Sequence, residues 1–194
     1  MKKKIFIILI TIAFISCHST KYYHSGNVNS RLNFQKGKWL LKNVESHKNI
    51  QDILTKIAKE KFETLLGNRF SIATNVGGIF VPNTIPNNPS KSILEDIKNG
   101  IGYDYLINIK AKKISDEVGF LETGNTLSSL ENSGEITLEI YDLNLLEKIY
   151  SQSAIGKMHI PKNNEDFGFS KSADNIIITG LTRILKKIKK NQIK

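Results

Sequence analysis

The sequence predicts a single small α/β (α+β) domain, a mixed sheet covered by helices in the order β-α-β-α-β-β-β-α. Three observations carry this. Apolar residues recur at three- and four-residue spacing over 50–66 and again over 173–188, the pattern of helices that lay one face on a core. Apolar and polar residues alternate over 105–112 and 136–141, the pattern of half-buried strands. The chain has 194 residues, and the length left after an N-terminal signal suits one domain, which at this size buries about 70% of its unfolded surface.

The signal comes first. Lys2, Lys3 and Lys4 precede the apolar run Ile5–Ile15, and Ser16 and Cys17 come next. A basic start, a short apolar core and a small residue make an export signal. The run is too short for a membrane span, which needs about 20 residues. Cys17, the only cysteine, stands directly after the small residue. This resembles the lipobox of bacterial lipoproteins, with Phe14 where that family usually has an aliphatic residue. The resemblance implies removal of residues 1–16 and lipid on Cys17. An ordinary secreted protein and a retained anchor are the alternatives. With Cys17 acylated, no thiol remains for a disulfide or a cysteine metal site.

Residues 17–36 are polar, small and aperiodic, and read as the lipidated cysteine and a flexible tether. Tyr22, Tyr23 and Phe34 are more apolar than a tether needs, which suggests docking on the domain or on a partner. The domain then occupies 37–194. Trp39–Val44 fits a first strand. Ile50, Ile53, Leu54, Ile57, Ala58, Phe62, Leu65 and Leu66 share one helical face, with Gly67-Asn68 as the stop. Phe70–Thr74 is a second short strand. Residues 75–89, rich in Gly, Pro and Asn, form a loop. Ile79, Phe80 and Val81 within it either tuck into the domain or form a contact site.

Ser92 and Glu95 have capping-box spacing, opening a short helix that closes near Asn99-Gly100. A strand runs from Tyr105 to Lys112. Residues 115–133 read as a long polar loop carrying Phe120 and Leu121, and long loops in compact domains are usually functional or disordered. Ile136–Tyr141 and Lys148–Ile155 form a hairpin around Asp142–Leu146. After a second polar loop, Ser172 opens the last helix. Its apolar face holds Ala173, Ile177, Leu181, Ile184, Leu185 and Ile188.

The segments Gly102-Tyr103-Asp104-Tyr105-Leu106-Ile107, Ile136–Asp142 and Lys148-Ile149-Tyr150-Ser151 together resemble the small α/β domain of the TolB amino-terminal domain, CsgG-type secretion lipoproteins and LpoB-type activators of cell-wall synthases. Asn144-Leu145-Leu146 departs from the Thr-Gly common at that turn. The resemblance covers 38–190 and implies an envelope lipoprotein that binds other proteins. It carries no catalytic residue across, and fold alone does not set function.

No chemical motif competes with this. The histidines, His18, His24, His47 and His159, lack metal-ligand spacing. There is no Gly-x-Ser-x-Gly turn and no phosphate-binding glycine loop. Asp116, Glu117, Glu122 and Glu131 match no calcium loop and read as a solvated acidic stretch. The formal net charge is +10; the three charges on Lys2, Lys3 and Lys4 leave with the signal, so the mature chain keeps +7. Export argues against a nucleic-acid partner. The basic end, Arg183 to Lys194, reads as a solvated helix end favoured by the helix dipole, or as a contact for anionic lipid or cell-wall polymer.

The expectation is therefore a non-enzymatic binding or accessory module without cofactor or metal. It is anchored by lipid in the envelope, on the outer membrane facing the periplasm, with an envelope protein as partner. Ile79, Phe80, Val81, Phe120 and Leu121 are the candidate contact residues. A self-assembling CsgG-like secretion or scaffold component, a lipid or glycan binder, and a hydrolase are the alternatives.

Overall fold

The computed structural model describes residues 19–79, 81–116, 129–161 and 171–193. The elements are β1 (Lys21–Gly26), β2 (Trp39–Leu41), α1 (Lys48–Leu66), β3 (Phe70–Ile72), α2 (Lys91–Ile101), β4 (Tyr105–Asp116), β5 (Ser129–Asp142), β6 (Glu147–Pro161) and α3 (Ala173–Lys190). The strands make one six-stranded mixed sheet in the order β1-β6-β5-β4-β2-β3. β1, β6, β5 and β4 pair antiparallel, and β2 lies parallel to both β4 and β3. The predicted class and helix order hold, with one strand added at the start.

That strand corrects the tether. β1 pairs residue by residue with β6, from Lys21 opposite Lys157 to Gly26 opposite Gln152. Tyr22 donates its hydroxyl to the Ile176 carbonyl at 3.2 Å, and the Arg183 guanidinium lies 4.0 Å from its ring centroid. Leu32 and Phe34 are buried in the main core, Phe34 with its ring 5.1 Å from that of Trp39. Burying these apolar side chains offsets the entropy of ordering the segment. Of the aromatics Tyr22, Tyr23 and Phe34, only Tyr23 keeps the exposure expected of a linker residue.

The long polar loop also shrinks. β4 and β5 run past the predicted strand ends and stay paired to Asp116 and Asn132, with a register shift between Lys113 and Ser115. Asp116 and Glu131 are thus strand residues. Glu117, Phe120, Leu121 and Glu122 lie outside the described residues.

Alternation along the strands sends side chains to two unlike faces. On one face Trp39, Leu41, Ile107, Ile109, Ile136, Leu138 and Ile140 meet Leu54, Ala58 and Phe62 of α1 and Leu181 and Ile184 of α3. Gly134, Gly156 and Gly180 allow this close approach. A Cβ at Gly156 would sit 2.3 Å from Ile176 Cγ2, and one at Gly180 2.7 Å from Ile136 Cγ2. On the other face Leu40, Leu106, Tyr141 and Leu143 pack with Ile85 and with Leu94, Ile97 and Ile101 of α2.

The caps reflect local chemistry. Ser172 accepts from Asn175 N–H and opens α3 as predicted. α2 opens two residues early, at Lys91, with Ser90 rather than Ser92 as the cap that accepts from Ile93 N–H. Between β5 and β6, Asp142 Oδ1 accepts from the N–H groups of Asn144 and Leu145 at 2.9 and 3.0 Å. Leu146 then takes φ 55°. That conformation costs an L side chain about 1–2 kcal/mol, offset here by packing on the second core.

Candidate functional site

β4, β5 and β6 bring a charged cluster together on the α2 face. Residues 108 and 110 of β4 lie opposite 139 and 137 of β5, so Asn108, Lys110 and Glu139 share one surface with Tyr141. The register shift at Ile140/Tyr141 aligns Lys148 of β6 with Tyr141. Glu139 is almost fully buried and receives Asn108 Nδ2 at 3.1 Å, Tyr141 Oη at 2.9 Å and Lys148 Nζ at 2.9 Å, with Lys110 Nζ 3.5 Å away. Burial alone would raise its carboxyl pKa. The hydrogen bonds from Lys148 and Tyr141 and the charge of Lys110 outweigh that and hold it below the usual carboxylate range.

The two lysines also reach upward. Lys110 Nζ donates to the Ile85 carbonyl at 2.7 Å and to Asn87 Oδ1 at 3.2 Å, while Lys148 Nζ donates to the Asn87 carbonyl at 2.8 Å. The 75–89 loop is therefore clamped onto the sheet by two cations that share one buried carboxylate. Beside them Lys42 is buried and paired with Glu45, its pKa lowered by burial against the opposing bond from Glu45.

The chemistry of this cluster is that of a clamp. Both Glu139 oxygens are occupied and the carboxylate stays ionised, so it has no proton to give. Tyr141 is held neutral, its pKa pushed far up by burial and by the Glu139 charge. No nucleophile stands next to a free base in this cluster, which is what covalent catalysis needs. Among the described residues no group of three or more His, Cys, Asp and Glu could hold a metal.

Of the predicted contact residues, Ile79 and Val81 are half-buried and pack on the second core. Tucking in is thus the arrangement for these two. Phe80, Phe120 and Leu121 lie outside the described residues, as does Cys17. His47 and His159 are not brought together as a ligand pair. His47 Nε2 meets Asp174 Oδ1 at 2.8 Å, and Lys113 bridges Asp174 and Asp116 at 3.2 and 2.8 Å. Asp116 in turn accepts from Ala173 N–H at 2.9 Å, tying β4 to the start of α3. His159 faces Glu131 at 3.2 Å.

A shallow groove lies between α1 and α3, with Lys186 the one cation of the basic end that lines it. Ile57 and Leu185 form its apolar floor, with Glu60, Lys61, Thr182 and Lys186 around it. No described helix is long and apolar enough to cross a membrane.

Sequence reasoning missed the Glu139 cluster. Thr137, Glu139 and Tyr141 alternate with apolar residues and read as a wetted face, because nothing local shows that the 75–89 loop folds over them. The one available signal was the pair Lys110 and Lys148 on predicted strands flanking that of Glu139.

No family model matches the chain, and no curated protein matches it. Among solved structures the chain is similar to the PelC dodecamer from Paraburkholderia phytofirmans, at 10% identity over 91% of this chain and 100% of that chain, with a TM-score of 0.46. It is also similar to lipoprotein GNA1162 from Neisseria meningitidis, at 14% identity over 80% of this chain and 99% of that one, with a TM-score of 0.40. A third is protein XCC0632 from Xanthomonas campestris, at 8% identity over 84% and 85%, with a TM-score of 0.37. Likeness this low assigns neither activity nor partner.

Proposed function

We propose that this chain is a lipid-anchored cell-envelope protein that acts by binding, as an accessory module for an envelope protein complex. The observation that carries the reading is the signal: three lysines, a short apolar run, Ser16 and then the sole cysteine. The Glu139 cluster supports the non-enzymatic half of the proposal, since its charged groups are spent on holding a loop. That clamp ties Ile85 and Asn87 of the loop to the sheet. A preformed loop loses less entropy when a partner binds it. The outer membrane, facing the periplasm, is the proposed site.

Fractionation tests this. The wild-type protein is expected to pellet with membranes and to band with the outer membrane on a density gradient, and Cys17→Ala to remain in the soluble fraction. A Cys17→Ala chain that still pelleted would defeat the lipid-anchor reading.

A further inference from the structure

Cys17 stands three residues before Thr20, and Thr20 already belongs to the fold. Its hydroxyl reaches Met158 Sδ at 3.9 Å, and Lys21 pairs with Lys157. Each trans peptide step spans at most about 3.8 Å, so the Cα atoms of Cys17 and Thr20 lie within about 11 Å of each other. We infer that an acylated Cys17 holds the domain directly against the bilayer, with the start of β1 and the Lys157 region of β6 at the lipid surface and Lys61 of α1 and the cationic end of α3 turned away. This rests on the acylation proposed above.

The two ends of the domain are well separated. α3 starts beside Asp116 and passes Gly156 at Ile176. It finishes where Asn191 Nδ2 reaches the Val28 carbonyl at 3.3 Å and Ile193 N–H the Leu32 carbonyl at 2.9 Å. At 1.5 Å per residue, Lys189 lies about 20 Å along the axis from Ile176. α1 runs the same way. His47 meets Asp174 at the shared start, and Lys61 lines one groove with Lys186 further along the two helices.

Lys61, Lys186, Lys187, Lys189 and Lys190 therefore gather away from the end that holds Thr20. Among the described residues none of the five forms an ion pair. Their separation from the anchored end exceeds the Debye length of about 8 Å at physiological salt, so they add little to attraction by that leaflet. The negative end of α3 accounts for Lys187, Lys189 and Lys190, which lie in its last turn, without a membrane.

The full acylated chain in phosphatidylcholine–phosphatidylglycerol vesicles tests the orientation. Cys17 is the only native cysteine, so K157C and K189C each carry a fluorophore at one place. Headgroup-labelled quencher lipid is expected to remove most of the K157C emission and to leave that of K189C. Equal loss at K189C would overturn the inference, because the cationic helix layer would then lie on the lipid. A Gly/Ser insert of about 20 residues between Ser19 and Thr20, spanning roughly 25 Å, should restore K157C emission. Persistent quenching in the insert variant would show that the surface, and not the short leash, sets the orientation. The mass of the N-terminal peptide reports acylation separately. No acyl mass sinks the anchor reading and this inference with it, whereas acylated protein quenched equally at both reporters sinks the inference alone.

Discussion

The two faces of the sheet are held by different physics. On the α1–α3 face the contact is apolar and interlocked, with Phe62 fully buried between Phe34 and Phe70 and α3 pressed onto glycines. On the α2 face a small apolar core adjoins a charged clamp, in which Glu139 holds Lys110 and Lys148 and these hold the 75–89 loop. Burial on the first face is non-directional and scales with area. The second depends in part on a few charge-assisted bonds, so it is more sensitive to pH, and these bonds add to the apolar hold of Ile79, Val81 and Ile85 on the same loop.

The largest effect is expected on the interlocked face. Phe62→Ala should cost about 3–5 kcal/mol, since the ring leaves a cavity that its neighbours fill only in part. Urea denaturation of the soluble Cys17→Ala chain measures this. A loss below about 1 kcal/mol would mean that α1 is loosely packed.

Next comes the clamp. Glu139→Gln should cost about 2–3 kcal/mol, below the range for a fully buried pair because both lysines are partly solvated. Its loss should also raise amide exchange in residues 85–89 more than in α1, which Phe62→Ala should not do. Equal protection in both regions would break the contrast between the faces.

Acid should act through the same group. The folded Glu139 carboxyl has a lowered pKa, so the folded state binds its proton less readily than the unfolded chain does. Its contribution is complete above the unfolded value of about 4.3 and is lost as pH falls through that value toward the folded one. Between about pH 6 and pH 3 the parent chain should lose stability more steeply than Glu139→Gln. Asp104, Asp116 and Glu131, whose pKa values are also lowered, keep some acid slope in both chains. Parallel slopes would remove Glu139 from the account. The smallest effect is expected for Ser172→Ala, about 1 kcal/mol from the lost cap of α3, read from the denaturation midpoint.

Legibility in the sequence tracks the same division. α1, α3 and the β5–β6 hairpin were readable because their periodicity reports burial on one side, and Ser172 announced its helix. β1 was not, because Lys-Tyr-Tyr-His-Ser-Gly has no clean alternation and its pairing partner lies far along the chain. The full length of β4, β5 and β6 was hidden by polar residues such as Asn132 and Ser133, which are buried at the end where α3 begins. The Glu139 cluster was illegible for a related reason. A polar strand face looks the same whether water or a returning loop covers it, and only the fold shows that the 75–89 loop does.

The mass of the mature N-terminal peptide, purified from membranes of cells making the intact chain, tests the central claim most directly. Lipid anchoring predicts a peptide that begins at Cys17 and carries acyl groups. A peptide starting elsewhere, or one with an unmodified Cys17 thiol, would contradict it.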